Sequence, residues 1–139
     1  MKRAFSFLLM CLALPLLLSA QVLMLFGGLN NDVYLGSLNT NRYDSNSIWN
    51  QYGTYGSKYS GTSIWNEYGT YGSEYSSYSP WNEYTSTPPV IVDKDGKFYG
   101  YFSKNKYISK RTTIDWILWI LDNSEIIKED TSKGYESIF

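Results

Sequence analysis

Trp49-Asn50, Trp65-Asn66 and Trp81-Asn82 stand sixteen residues apart, and a tyrosine follows each pair: Tyr52, Tyr68 and Tyr84. An indole or phenol offers a flat apolar face with a polar handle, and an amide is both donor and acceptor. Sugar rings are held by that combination in a concave, aromatic-lined site. Trp49, Tyr52, Trp65 and Tyr68 are therefore candidate stacking rings, with Asn50 and Asn66 as candidate hydrogen-bond partners. Burial in the core is the competing expectation for each ring, and it is the commoner fate of large aromatic side chains. Leu, Ile and Val are scarce between residues 39 and 89, so Trp49 and Trp65 are expected to serve first as structural pins.

Other reactive groups are few. The 139 residues include no histidine, which removes the commonest general base and metal ligand. A glycosidase needs a carboxylate pair. Glu67 and Glu83 qualify by type alone, and Gln51 fills the same place in the first repeat. Asp93 and Asp95 precede Gly96, but the later carboxylate of a calcium loop is missing, so the run reads as a turn. Cys11 is the only cysteine, which precludes a disulfide within the chain. No catalytic residue, cofactor or metal ligand emerges, and a hydrolase is the remote alternative.

Charge narrows the partners. The chain has 12 basic and 13 acidic side chains, and Lys2 and Arg3 are the only charges in residues 1–20. The remainder keeps 10 basic and 13 acidic groups, a net −3. That excludes the basic footprint of a nucleic-acid binder and a polybasic attraction to lipid. Lys2-Arg3, an apolar run to Leu18 and Ser19-Ala20 before Gln21 form a signal-peptide pattern over residues 1–20. The alternative is an uncleaved anchor over 4–26, about 23 residues and long enough to span a bilayer. Met10 before Cys11 argues against a lipoprotein. In either case residues from Gly27 onward face outward, because the positive end stays inside. The protein is expected to be secreted, periplasmic or extracellular, or else membrane-anchored and facing outward.

Residues 45–60 read SNSIWNQYGTYGSKYS and residues 61–76 read GTSIWNEYGTYGSEYS; all but four of the sixteen positions agree. A truncated copy, SYSPWNEY, spans 77–84. Gly53, Gly56, Gly69 and Gly72 predict consecutive turns with positive φ at glycine, and the Ser-x-Ser-Ile-Trp block predicts serine capping of backbone donors. VYLGSLNTNRY and KFYGYFSKNKY flank the repeats 64 residues apart, so they are expected to be equivalent strands and neighbours in one sheet. Asp95-Gly96 between Val90–Val92 and Phe98–Phe102 predicts a β-hairpin. Ile114, Ile117, Leu118 and Leu121 predict a helix over about 113–123 that packs on the sheet, with Thr112 and Asp115 as a capping box. The expected fold is α+β: turn-rich aromatic repeats beside a small antiparallel sheet, with a C-terminal helix. One domain is expected over 33–123, with a polar, fraying tail over 124–139.

The run from Tyr34 to Tyr107 resembles a family of uncharacterised bacterial proteins, frequent in cyanobacteria. The shared pattern is Leu35-Gly36, the repeats from Asp44 to Ser76, Pro88-Pro89-Val90 to Asp93, the Gly96 to Gly100 hairpin, and Asn105 to Tyr107. Many relatives carry cysteines in the leading segment, where this chain has Ser37 and Thr40, so no metal or redox role is carried over. The resemblance implies fold and export and no established activity. Taken together, the residues point to a non-catalytic exported structural or binding module whose ligand the sequence does not identify, with a cell-envelope glycan as one candidate. The alternative is a membrane-anchored envelope protein acting through a protein partner.

Overall fold

The computed structural model describes residues 22–139; the expected signal peptide, its expected cleavage site and Cys11 lie outside the described residues. Four strands form one antiparallel sheet: β1 (Met24–Gly27), β2 (Val33–Ser37), β3 (Val90–Val92) and β4 (Phe98–Tyr101). Their order is β2-β1-β3-β4, and the whole repeat segment is an excursion between β2 and β3. β1 lies at the centre, with Leu25 opposite Gly36 on one side and Ile91 on the other. Leu25 is fully buried. The stretch read as the end of an anchor over 4–26 thus supplies a central strand, and the domain starts before residue 33. A strand buried on both edges is satisfied by pairing, not by the internal hydrogen bonds of a spanning helix. Among the described residues no helix is long and apolar enough to cross a membrane.

The Asp95-Gly96 hairpin forms. Gly96 has φ +82°, and Asp93 closes the turn, accepting from Gly96 N and donating to Lys97 O. The similar segments at Gly36 and Gly100 are equivalent but not neighbours: they lie on opposite edges of the sheet. Each edge is sealed the same way. Ser37 donates to Asn46 O and accepts from Ile48 N at 2.7 and 2.9 Å; Tyr101 donates to Lys110 O and accepts from Thr112 N at 2.9 and 3.0 Å. All of these positions keep the 64-residue offset. The glycines beside them have φ +107° and +108°, which a side chain rarely adopts. A Cβ on Gly100 would also meet Thr112 Cα at 2.7 Å. Sealing both edges removes the unpaired ladder that invites aggregation.

Helix α1 (Asp115–Asp122) buries Ile117, Ile120 and Leu121 in one core with Leu25, Leu35, Ile91 and Phe102. The capping box does not form. Ile114 is the N-cap, and Thr112 Oγ1 instead accepts from Ile114 N in a local turn. The expected polar tail is two helices, α2 (Ser124–Glu129) and α3 (Thr131–Ile138). Ile127 is fully buried, and Gly134 lets α3 lie against it, since a Cβ there would meet Ile127 at 2.8 Å. Asp130 caps α3 by accepting from Lys133 N.

Candidate functional site: the aromatic face of the repeats

The repeat is built from triplets. Hydrogen bonds run from each turn's last N–H to the carbonyl three residues earlier, in turns that start at Ser47, Asn50, Gly53, Ser57 and Ser60 before Ser63 begins the next copy. At Gly53 the carbonyl accepts from both Gly56 and Ser57, at 3.3 and 3.0 Å. That one additional residue turns five triplets into a sixteen-residue period. The repeat glycines do not have positive φ. Gly56 and Gly72 are required by space: a Cβ there would sit inside the carbonyl oxygens of Asn50 and Asn66.

Residues that start turns also hold them with their side chains. Ser47, Ser63 and Ser79 accept from the N–H of Trp49, Trp65 and Trp81 at 3.0–3.1 Å. Asn50, Asn66 and Asn82 accept from Tyr52, Tyr68 and Tyr84 at 2.9–3.1 Å. The same asparagines donate Nδ2 to Asp44 O, Ser60 O and Ser76 O at 3.0–3.2 Å. Asn50 and Asn66, expected to bond a ligand, are thus committed to the turns, because a competing local side-chain bond is what stabilises such backbone.

The tryptophans form a buried stack. Trp49, Trp65 and Trp81 are 2%, 1% and 3% exposed, with successive ring centroids 5.7 and 5.4 Å apart and Phe102 completing the row at 5.7 Å. Trp65 Nε1 donates to Ile48 O at 2.7 Å and Trp81 Nε1 to Ile64 O at 2.6 Å. The equivalent Pro80 carbonyl accepts from Lys104 N at 2.8 Å. Each rung therefore satisfies the carbonyl of the rung before it. Trp49 is the first rung; its ring packs 5.9 Å from Tyr135 on α3, and its Nε1 has no partner among the described residues. Trp49 and Trp65 are pins, and no sugar can stack on them in this arrangement.

Tyrosines take the outer face. Tyr43, Tyr59 and Tyr75 form one sixteen-residue series and Tyr52, Tyr68 and Tyr84 a second; all six are 83–97% exposed. Between the two series lie clefts floored by the tryptophan edges. Tyr43 and Tyr52 frame one of about 60 Å³ at Trp49, Tyr59 and Tyr68 one of about 290 Å³ at Trp65, and Tyr75 and Tyr84 one of about 500 Å³ at Trp81. A further cleft of about 320 Å³ joins Tyr68 to Tyr75, so the second and third copies share one groove. The helices form its other wall. Lys58 Nζ donates to Glu129 O at 3.2 Å, Lys104 Nζ to Ser124 Oγ at 3.3 Å, and Lys128 Nζ lies 5.1 Å from the Trp81 ring. Arg42 closes the narrow end, bonding Ser132 Oγ at 2.8 Å and pairing with Glu136 at 3.4 Å.

Of the residues expected to bind ligand, only Tyr52 and Tyr68 present free ring faces. Tyr43, Tyr59, Tyr75 and Tyr84 join them; their exact period was the signal available for them. Glu67 and Glu83 line different clefts, so no one cleft holds them as a pair. Among the described residues no group of His, Cys, Asp and Glu is placed to hold a metal ion. Asp93 is a turn carboxylate. Burial alone would raise it, but hydrogen bonds from Tyr99 Oη and from the N–H groups of Lys97 and Asp95 outweigh burial and hold it below the ordinary range. The carboxylate bond in turn raises the Tyr99 phenol.

No protein-family model, curated protein or solved structure matches the chain.

Proposed function

We propose that this protein is an exported, non-catalytic module that binds an extended glycan of the cell envelope in the groove between its two tyrosine series. The observation that carries this reading is the six rings held in open solvent at one period. Leaving large aromatic faces exposed forgoes the burial that stabilises the rest of the core. A ligand with its own repeat covers such a row with many equal, weak contacts. Cleavage before Gln21 would leave all of β1 in the mature chain, so the fold is compatible with export. The resemblance to exported bacterial proteins points the same way and assigns no activity.

The test is co-sedimentation with insoluble envelope polysaccharide, comparing wild type with the triple variant Tyr52→Ala, Tyr68→Ala, Tyr84→Ala. Each ring contact is worth about 0.5–1.5 kcal/mol, so the triple variant should bind at least about tenfold more weakly while its melting curve stays in place. Undiminished binding by the triple variant would overturn the groove assignment.

A further inference from the structure

We propose a second use for the same face: the outward tyrosines are sites of oxidative cross-linking, through which copies of this chain join covalently into a network. Four observations meet here. The six row phenols are 83–97% exposed, so a diffusing oxidant and a second molecule can both reach them. Each is displayed from a pinned turn: Asn41, Ser57 and Ser73 hold the Tyr43, Tyr59 and Tyr75 N–H groups as Asn50, Asn66 and Asn82 hold the second series. Close ring pairs join tryptophans, interior rings and helix aromatics; among the described residues none joins two row tyrosines, so coupling falls between molecules. Lastly, Cys11 is the only cysteine, so an oxidising exterior has no disulfide network to build from this chain.

The chemistry balances with hydrogen peroxide as oxidant and a haem peroxidase as catalyst. Each of two phenols gives up one electron and one proton, leaving two tyrosyl radicals. The peroxide O–O bond breaks as it takes both electrons and both protons, giving two waters. The radicals join carbon to carbon ortho to the hydroxyls, and the displaced ring hydrogens move to the oxygens, restoring two phenols in one dityrosine. A chain with one reactive ring would stop at a dimer. A chain with six must pass beyond dimers to a branched network.

This proposal does not depend on glycan binding. Tyr→Phe at the six row positions and at the similarly exposed Tyr107 keeps those seven ring faces and removes their hydroxyls, leaving the other seven tyrosines in place. Wild-type protein treated with peroxidase and limiting peroxide should lose its monomer to species larger than dimer on a denaturing gel. Peptide mass spectrometry should place the coupled tyrosines in the two rows. The sevenfold Phe variant should stay monomeric under the same treatment. Protein recovered from the envelope of cells that make it naturally should yield dityrosine on hydrolysis. Coupling mapped mainly to half-buried rings such as Tyr34 or Tyr55, arrest at the dimer, or the absence of dityrosine from the native material would each overturn the proposal; the mapping uses wild type, so it holds even if the variant does not fold.

Discussion

The inner and outer faces of the repeat start from nearly the same local structure and end in opposite environments. On the inner face a serine opens a turn, an isoleucine follows, and the tryptophan in third place is buried. On the outer face an asparagine opens a turn, and the tyrosine in third place stands in solvent. Both turns use one side-chain acceptor for the N–H two residues on. The difference lies in what else the opening residue does. Ser63 makes only the turn bond, whereas Asn66 also reaches back with Nδ2 to Ser60 O and ties the neighbouring triplet. Burial then follows from context: the Ser-Ile-Trp triplet faces the sheet and helices, and the Asn-x-Tyr triplet faces away. Aromatic content by itself did not distinguish scaffold from surface; position within the triplet lattice did.

Trp65→Ala should break the comparison most severely. It removes a ring that stacks on both neighbours and satisfies Ile48 O. Loss of a buried tryptophan costs about 3–5 kcal/mol, a large part of the roughly 5–15 kcal/mol holding such a domain. Thermal denaturation should show a steep fall or no folded state. A melting curve matching wild type would mean that the stack is not the scaffold.

A gentler pair of variants sharpens the ladder itself. Trp65→Phe strands the Ile48 carbonyl, whereas Trp49→Phe removes an N–H that has no partner. An orphaned buried group costs about 1–3 kcal/mol, so denaturant titration should find Trp65→Phe less stable than Trp49→Phe by about that amount. Equal losses would show that the indole hydrogen bonds add nothing to the stacking.

The smallest effect concerns pH, away from the repeats. Because Asp93 is held below its ordinary value when folded, its contribution is complete above the unfolded-state pKa of about 3.9. It is lost as pH falls through the lower folded-state value. Wild type should therefore weaken more than Asp93→Asn between about pH 5 and pH 2. Parallel acid dependence in urea titrations of the two proteins would remove Asp93 from the acid response.

Much of the local structure was legible because it rests on local chemistry. Asp95-Gly96 between β-prone runs became the hairpin, and the repeat blocks became turns held by their own serines. The helix at Asp115–Asp122 followed its apolar spacing. The reason given for the repeat glycines failed, because a clash with the Asn50 and Asn66 carbonyls depends on how the chain doubles back two triplets later. The two tail helices escaped notice for a related reason. Helices of six and eight residues are marginal alone, and these exist because Ile127 and Gly134 meet and Arg42 ties to Ser132 and Glu136. Of the six residues expected in the candidate site, Tyr52 and Tyr68 lie on the open face, Trp49 and Trp65 belong to the core, and Asn50 and Asn66 are tied into the turns.

The sequence by itself determined the sixteen-residue period, the serine-held turns of the repeat and the hairpin, since each depends on bonds within a few residues. Only the tertiary structure decided that β1 lies at the centre of the sheet and that the two similar segments seal its opposite edges. It also decided that tryptophans point in while tyrosines point out. Those outcomes are set by which surfaces meet across long stretches of chain, and pairing at that range has no expression in local spacing.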